Sequence, residues 1–154
     1  MPLRQDATRH RTALLLGLTS GDAVVAWADE QLLRQSAPPD ALIDVSLTAP
    51  TDLSALRIAL EPLADDPVPA SIVEEMLAQA ARDLLSGRRS VADSMHLFRQ
   101  VRLMLPLTAA RDAALDDLID AHMLAVAGIG SSVDDVEARV REWSAGVLAA
   151  TTDQ

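Results

Sequence analysis

Histidine is the residue type whose ordinary pKa lies nearest neutrality, and this 154-residue chain has three, His10, His96 and His122, so acid–base or ligand chemistry starts from them. His122 falls on an apolar stripe between Ile119 and Met123. It is either a buried base or ligand oriented by a carboxylate, or a core-edge histidine bonded to the backbone; we adopt the second reading. Asp93 and His96 are three residues apart and share a helix face, which could supply two metal ligands. A metal site needs a third, and nothing nearby in sequence provides one. His10 sits among arginines near a chain end that should fray, and is expected to be solvated.

The acidic run Asp112, Asp116, Asp117 and Asp120 is the second candidate. Asp112, Asp116 and Asp120 are four apart, so on a helix they stack along one face with Asp117 beside them. Aspartate is a poor helix former, and like charges at this spacing repel by a few tenths of a kcal/mol per pair. Two readings follow: a docking surface for a basic protein partner, or an ordinary solvated face in an aspartate-rich chain. Asp134, Asp135 and Glu137 begin the next helix, where the helix dipole already accounts for them.

Other chemistry lacks its residues. Glu74-Glu75, Asp65-Asp66 and Asp116-Asp117 are adjacent, so on a helix they point about 100° apart and do not share a proton. A glycosidase cleft needs carboxylates from separate elements and an aromatic lining, but the only aromatics are Trp27, Phe98 and Trp143. Gly128-Ile129-Gly130 lacks the third glycine and the preceding strand of a dinucleotide loop. There is no cysteine, which removes disulfides, thiolate zinc sites and a thiol nucleophile. No catalytic, cofactor-binding or metal-ligating residue is therefore assigned.

Charge narrows the partners. The formal net charge is −10, and no basic stripe displaces counterions, so nucleic acid and anionic membranes are not expected partners. All 13 basic residues are arginine, with no lysine, asparagine or tyrosine, which reads as the codon bias of a GC-rich bacterial genome. Arg4, Arg9 and Arg11 precede the apolar run Ala13–Leu18, which is too short for a signal peptide. No apolar run of about 18 residues is present. The expected location is the cytoplasm.

The elements that must position these residues are helices. Punctuation by Gly, Pro, Ser and Thr separates about eight amphipathic segments. The first spans about Asp6 to Leu16. The second, capped by Thr19 or Ser20, runs to Arg34 with Val24, Trp27, Ala28, Gln31 and Leu32 inward. Asp40 to Leu47 follows, with Leu42, Ile43 and Val45 inward. The fourth, capped by Thr51 or Asp52, uses Leu53, Leu56, Leu60 and Leu63 and must kink or stop before Pro62. After the linker Asp65-Asp66-Pro67-Val68-Pro69 comes a helix from Pro69 to Ser86 with a wide apolar face, Val73, Met76, Leu77, Ala80, Leu84 and Leu85. Ser90 caps a helix carrying Val91, Met95, Phe98, Val101 and Leu105. Thr108 opens a helix carrying Leu115, Leu118, Ile119, Met123 and Val126. Ser132 and Asp135 form a capping box for the last, carrying Val133, Val136, Val140, Trp143 and Val147. Trp27 and Trp143 both fall on inner stripes and would close the bundle if packed together. The expected fold is all-α: a compact bundle or two-layer array of about eight short antiparallel helices. It forms one domain over 1–154, with 1–64 and 69–154 as its sub-halves.

The stretches Leu18-Thr19-Ser20-Gly21-Asp22-Ala23-Val24-Val25-Ala26-Trp27-Ala28-Asp29 and Pro38-Pro39-Asp40-Ala41-Leu42-Ile43-Asp44-Val45-Ser46-Leu47 resemble a group of small uncharacterised bacterial all-helical proteins. The tail from Ala127-Gly128-Ile129-Gly130 into an acidic helix is similar too. The resemblance brings no established activity. In style such proteins resemble immunity partners of secreted toxins. The function expected is a non-catalytic interaction or regulatory domain whose acidic face, Asp112, Asp116, Asp117 and Asp120, meets a protein partner. The alternatives are a small enzyme or ligand-binding bundle using His122 or Asp93 and His96, and a structural subunit of a homo-oligomer.

Overall fold

Five of the helices begin where a short side chain accepts a hydrogen bond from a free N–H, and the third helix in the chain opens instead after Pro39 with no such bond. In a computed structural model describing residues 2–152, Ser20 accepts from the Ala23 N–H at 3.2 Å, Asp52 from Ala55 at 2.9 Å, Ser90 from Asp93 at 3.0 Å, Thr108 from Arg111 at 3.3 Å and Ser132 from Asp135 at 3.1 Å. Of the alternatives weighed, Ser20 rather than Thr19 and Asp52 rather than Thr51 take the cap. The capping box at Ser132–Asp135 forms, with the serine hydroxyl donating to the carboxylate at 2.7 Å, and Ser90 with Asp93 makes a second.

The described residues hold eight α-helices and no strand. They are α1 (Pro2–Leu15), α2 (Gly21–Arg34), α3 (Asp40–Leu47), α4 (Leu53–Leu60), α5 (Ala70–Leu85), α6 (Val91–Met104), α7 (Ala109–Val126) and α8 (Val133–Thr152), with a 3₁₀ turn at Glu61–Leu63 where Pro62 ends α4. The chain is all-α. No helix among the described residues is long and apolar enough to cross a membrane.

The chain divides into two compact units, Met1–Ile72 and Val73–Gln154. The linker expected at 65–69 is held within the first unit at its start: the Asp65 N–H donates to Thr8 Oγ1 at 2.7 Å. In this unit α2 packs on α3, α3 on α4, and α4 with its 3₁₀ turn on α1. Val24, Trp27, Leu42, Val45, Leu56, Leu60 and Leu63 form its core with Ala7, Leu14 and Ala28. Helix α1 contributes despite its polar sequence. Thr8 and Thr12 are buried because each hydroxyl donates to the carbonyl four residues back, at 2.8 Å. Gly21 is required by a close approach: a Cβ there would lie 1.8 Å from the Pro50 carbonyl oxygen.

In the second unit α6 packs on α7 and α7 on α8. Phe98 on α6 meets Trp143 on α8 edge-on, centroids 5.2 Å apart. Both tryptophans have an aromatic neighbour. Each finds its ring partner within its own unit, Trp27 against His10 and Trp143 against Phe98.

Several residues assigned to inner stripes are exposed instead: Ile43, Leu53, Leu85, Met123, Val126 and Val133. Ile43 lies about 100° round the helix from buried Leu42, so one face cannot cover Leu42, Ile43 and Val45 together. The others lie in the first or last turn of their helices.

Candidate functional site

The acidic run lies on α7, where helical spacing does put Asp112, Asp116 and Asp120 along one side. Tertiary packing brings arginines to it. Arg102, near the end of α6, donates from Nε to Asp112 Oδ1 at 2.8 Å and from Nη1 to Asp116. Hydrogen bonding to Asp112, reinforced by the charge of both carboxylates against some desolvation, raises the Arg102 pKa above its already high ordinary value. Arg139 on α8 donates to Asp117 at 2.7 Å. The repulsion between Asp112 and Asp116 is thus offset by a cation bridging them. Asp120, one turn further on, is exposed and has no ion pair among the described residues.

On the other side of α7, Arg111 grips Glu74 of α5 with both arms of its guanidinium, at 3.1 and 2.8 Å, and lies over the Trp143 ring, 5.9 Å from its centroid. Arg102, Arg111 and Arg139 were not singled out in the sequence. A signal existed for Arg102, because a short connector between antiparallel helices sets the last turn of α6 against the first turns of α7.

Beyond Asp120 the outer side of α7 turns apolar. Met123, Leu124 and Val126 are 54%, 48% and 65% exposed, and Ile129 in the following connector is 58% exposed. The connector holds its shape through Gly128, at φ +75°, and through the Ile129 N–H bonded to the Leu124 carbonyl at 2.9 Å. An exposed apolar corner with a free carboxylate at its edge results.

The histidines are redistributed. Asp93 does not accompany His96: its carboxylate accepts the Ser90 hydroxyl at 2.7 Å. His96 instead shares a cleft of about 150 Å³ between α6 and α7 with His122, Arg99, Met95, Ile119 and Ala92. His122 is half-buried and His96 exposed. Among the described residues no group of three or more His, Asp or Glu side chains gathers in a metal-binding arrangement.

His10 departs from expectation. Helix α1 begins at Pro2, so His10 sits in mid-helix rather than at a fraying end. Its ring is half-buried against Trp27, centroids 4.7 Å apart. Burial lowers its pKa below the ordinary 6.5, with Asp6 opposing and Arg9 adding to the shift.

Compared with known proteins, the chain matches no family model, and no curated protein or solved structure is significantly similar to it.

Proposed function

We propose that this protein is a non-catalytic interaction domain that docks a basic protein partner on the outer side of the C-terminal half of α7. The observation that carries the reading is the neighbourhood of Asp120: an exposed carboxylate without an ion pair, followed by exposed Met123 and Leu124. Apolar contact supplies affinity, and the carboxylate selects a cation at its rim. Asp112, Asp116 and Asp117 take a supporting part. Their arginine partners hold α7 in place, and the net charge of −10 favours encounter with a basic partner at low ionic strength. An immunity-type protein that neutralises a basic effector in the bacterial cytoplasm is one specific form.

The test pairs capture with reconstitution. Proteins retained from a native lysate by the wild type but not by a D120R/L124D double variant are identified by mass, and each purified candidate is titrated against both. A basic partner should lose at least tenfold in affinity, about 1.4 kcal/mol, and wild-type binding should weaken with salt. Equal affinity for the two forms would refute the proposal. So would self-association in sedimentation that the double variant abolishes, because the corner would then be an oligomer contact.

A further inference from the structure

We propose that the cleft between α6 and α7 is a binding site for a phosphate group, held by His96, Arg99 and His122. Phosphate is singled out by the chemistry of the lining. Three nitrogen-bearing side chains from two helices border one small space, and no carboxylate is among its lining residues. That is notable in a chain with 23 acidic residues. The nearest acids in sequence are accounted for. Asp93 is turned to Ser90, and Asp120 lies about 160° round α7 from His122.

Arg99 is the central observation. Arg102, Arg111 and Arg139 of the same unit each hold a carboxylate. Arg99, like Arg82 and Arg141, has no ion pair among the described residues, but of these three it alone lines the cleft, and its Nη2 lies 3.0 Å from Met123 Sδ, a weak acceptor. The guanidinium keeps its charge at any physiological pH and is the side chain best matched to a phosphate. It also argues against a metal ion, since a cation bound by His96 and His122 would lie beside a permanent positive charge. Phosphate carries more acceptor oxygens and more negative charge than a carboxylate, which suits donors converging from two helices. A space of about 150 Å³ admits one such group, with Met95 and Ile119 as apolar wall. The excess negative charge of the chain does not forbid this, because exposed charges more than about 8 Å away are largely screened at physiological ionic strength.

Binding is read from the imidazole ring signals of the full-length protein by NMR, with inorganic phosphate titrated at constant pH and ionic strength. The His96 and His122 rings should shift saturably, with a dissociation constant of about 1 mM or tighter, and His10 should not. In R99Q, an exposed substitution whose unchanged Trp143 ring signal, set by the Phe98 ring in the same unit, reports an intact fold, affinity should fall at least tenfold. Acetate should bind more weakly than phosphate. The proposal is overturned by the absence of a saturable shift, by His10 moving in parallel, by undiminished affinity in R99Q, or by acetate binding as tightly. Binding of zinc or copper(I) to both rings that phosphate leaves unchanged would also overturn it.

Discussion

Replacing Gly21 by alanine should destabilise the first unit through one steric conflict. Gly21 opens α2, and the built Cβ lies 1.8 Å from the Pro50 carbonyl oxygen, 2.7 Å from the Pro50 carbonyl carbon and 3.0 Å from Leu56 Cδ1. The first gap must open to about 3.4 Å before ordinary contact is restored, and the atom in the way belongs to the backbone rather than to a flexible side chain. Overpacking costs roughly 1–3 kcal/mol, and a backbone obstacle puts this case at about 3. The smaller conformational entropy of unfolded alanine returns about 0.4–1 kcal/mol. The net loss is about 2 kcal/mol, or a fall in melting temperature of roughly 4–8 °C for a chain this long. Two other glycines separate steric conflict from backbone conformation. Gly17, at φ +66° with open space around its built Cβ, should lose about 1 kcal/mol on substitution by alanine from strain alone. Gly146, inside α8 with equally open space, should gain up to about 1 kcal/mol. Urea and thermal denaturation followed by circular dichroism should rank G146A above wild type, then G17A, then G21A. If G21A matched wild type within about 0.5 kcal/mol, α2 could not start against the Pro50 carbonyl, and the reasoning would fail.

Acidification should weaken the fold through His10. Its folded pKa lies below 6.5, so as pH falls below that value the unfolded chain takes up the proton first and stability drops until the lowered folded pKa is passed. Urea midpoints between pH 8 and pH 5 should therefore fall more steeply for wild type than for H10Q; parallel curves would contradict the buried ring. Phe98 is fully buried and meets Trp143 edge-on, so F98A should cost about 3–5 kcal/mol and change Trp143 fluorescence. A loss under about 1 kcal/mol would place Phe98 outside the core. Arg111→Lys keeps the charge but not the two-armed grip on Glu74, and should cost about 1 kcal/mol in urea denaturation, where a purely Coulombic contact would leave the midpoint unmoved.

The acidic face of α7 illustrates how a pattern can be legible and its partners hidden. Helical spacing correctly places Asp112, Asp116 and Asp120 on one side. It says nothing of Arg102 and Arg139, which lie on α6 and α8 and absorb Asp112, Asp116 and Asp117 while leaving Asp120 exposed. The four carboxylates are therefore not equivalent, and the free one adjoins the exposed apolar corner.

What the residues determined unaided is everything decided within about one helical turn. Ser20, Asp52, Ser90, Thr108 and Ser132 mark helix starts because each cap reaches an N–H three residues on. Gly87 and Gly128 mark ends because the chain there needs a positive φ, and Pro62 stops α4 because it has no N–H to donate. Periodicity then picks the apolar stripe of each helix, but not whether a neighbour covers it: Leu56 and Leu60 are buried, while Leu53 on the same stripe is half-open. Tertiary packing alone set Gly21 against Pro50, Arg111 between Glu74 and Trp143, and His96 beside His122 rather than Asp93. The physical reason is range. Caps and turns are local bonds that a short stretch of sequence specifies, whereas these contacts join residues 26 to 37 positions apart and exist only once the helices have chosen their neighbours and register.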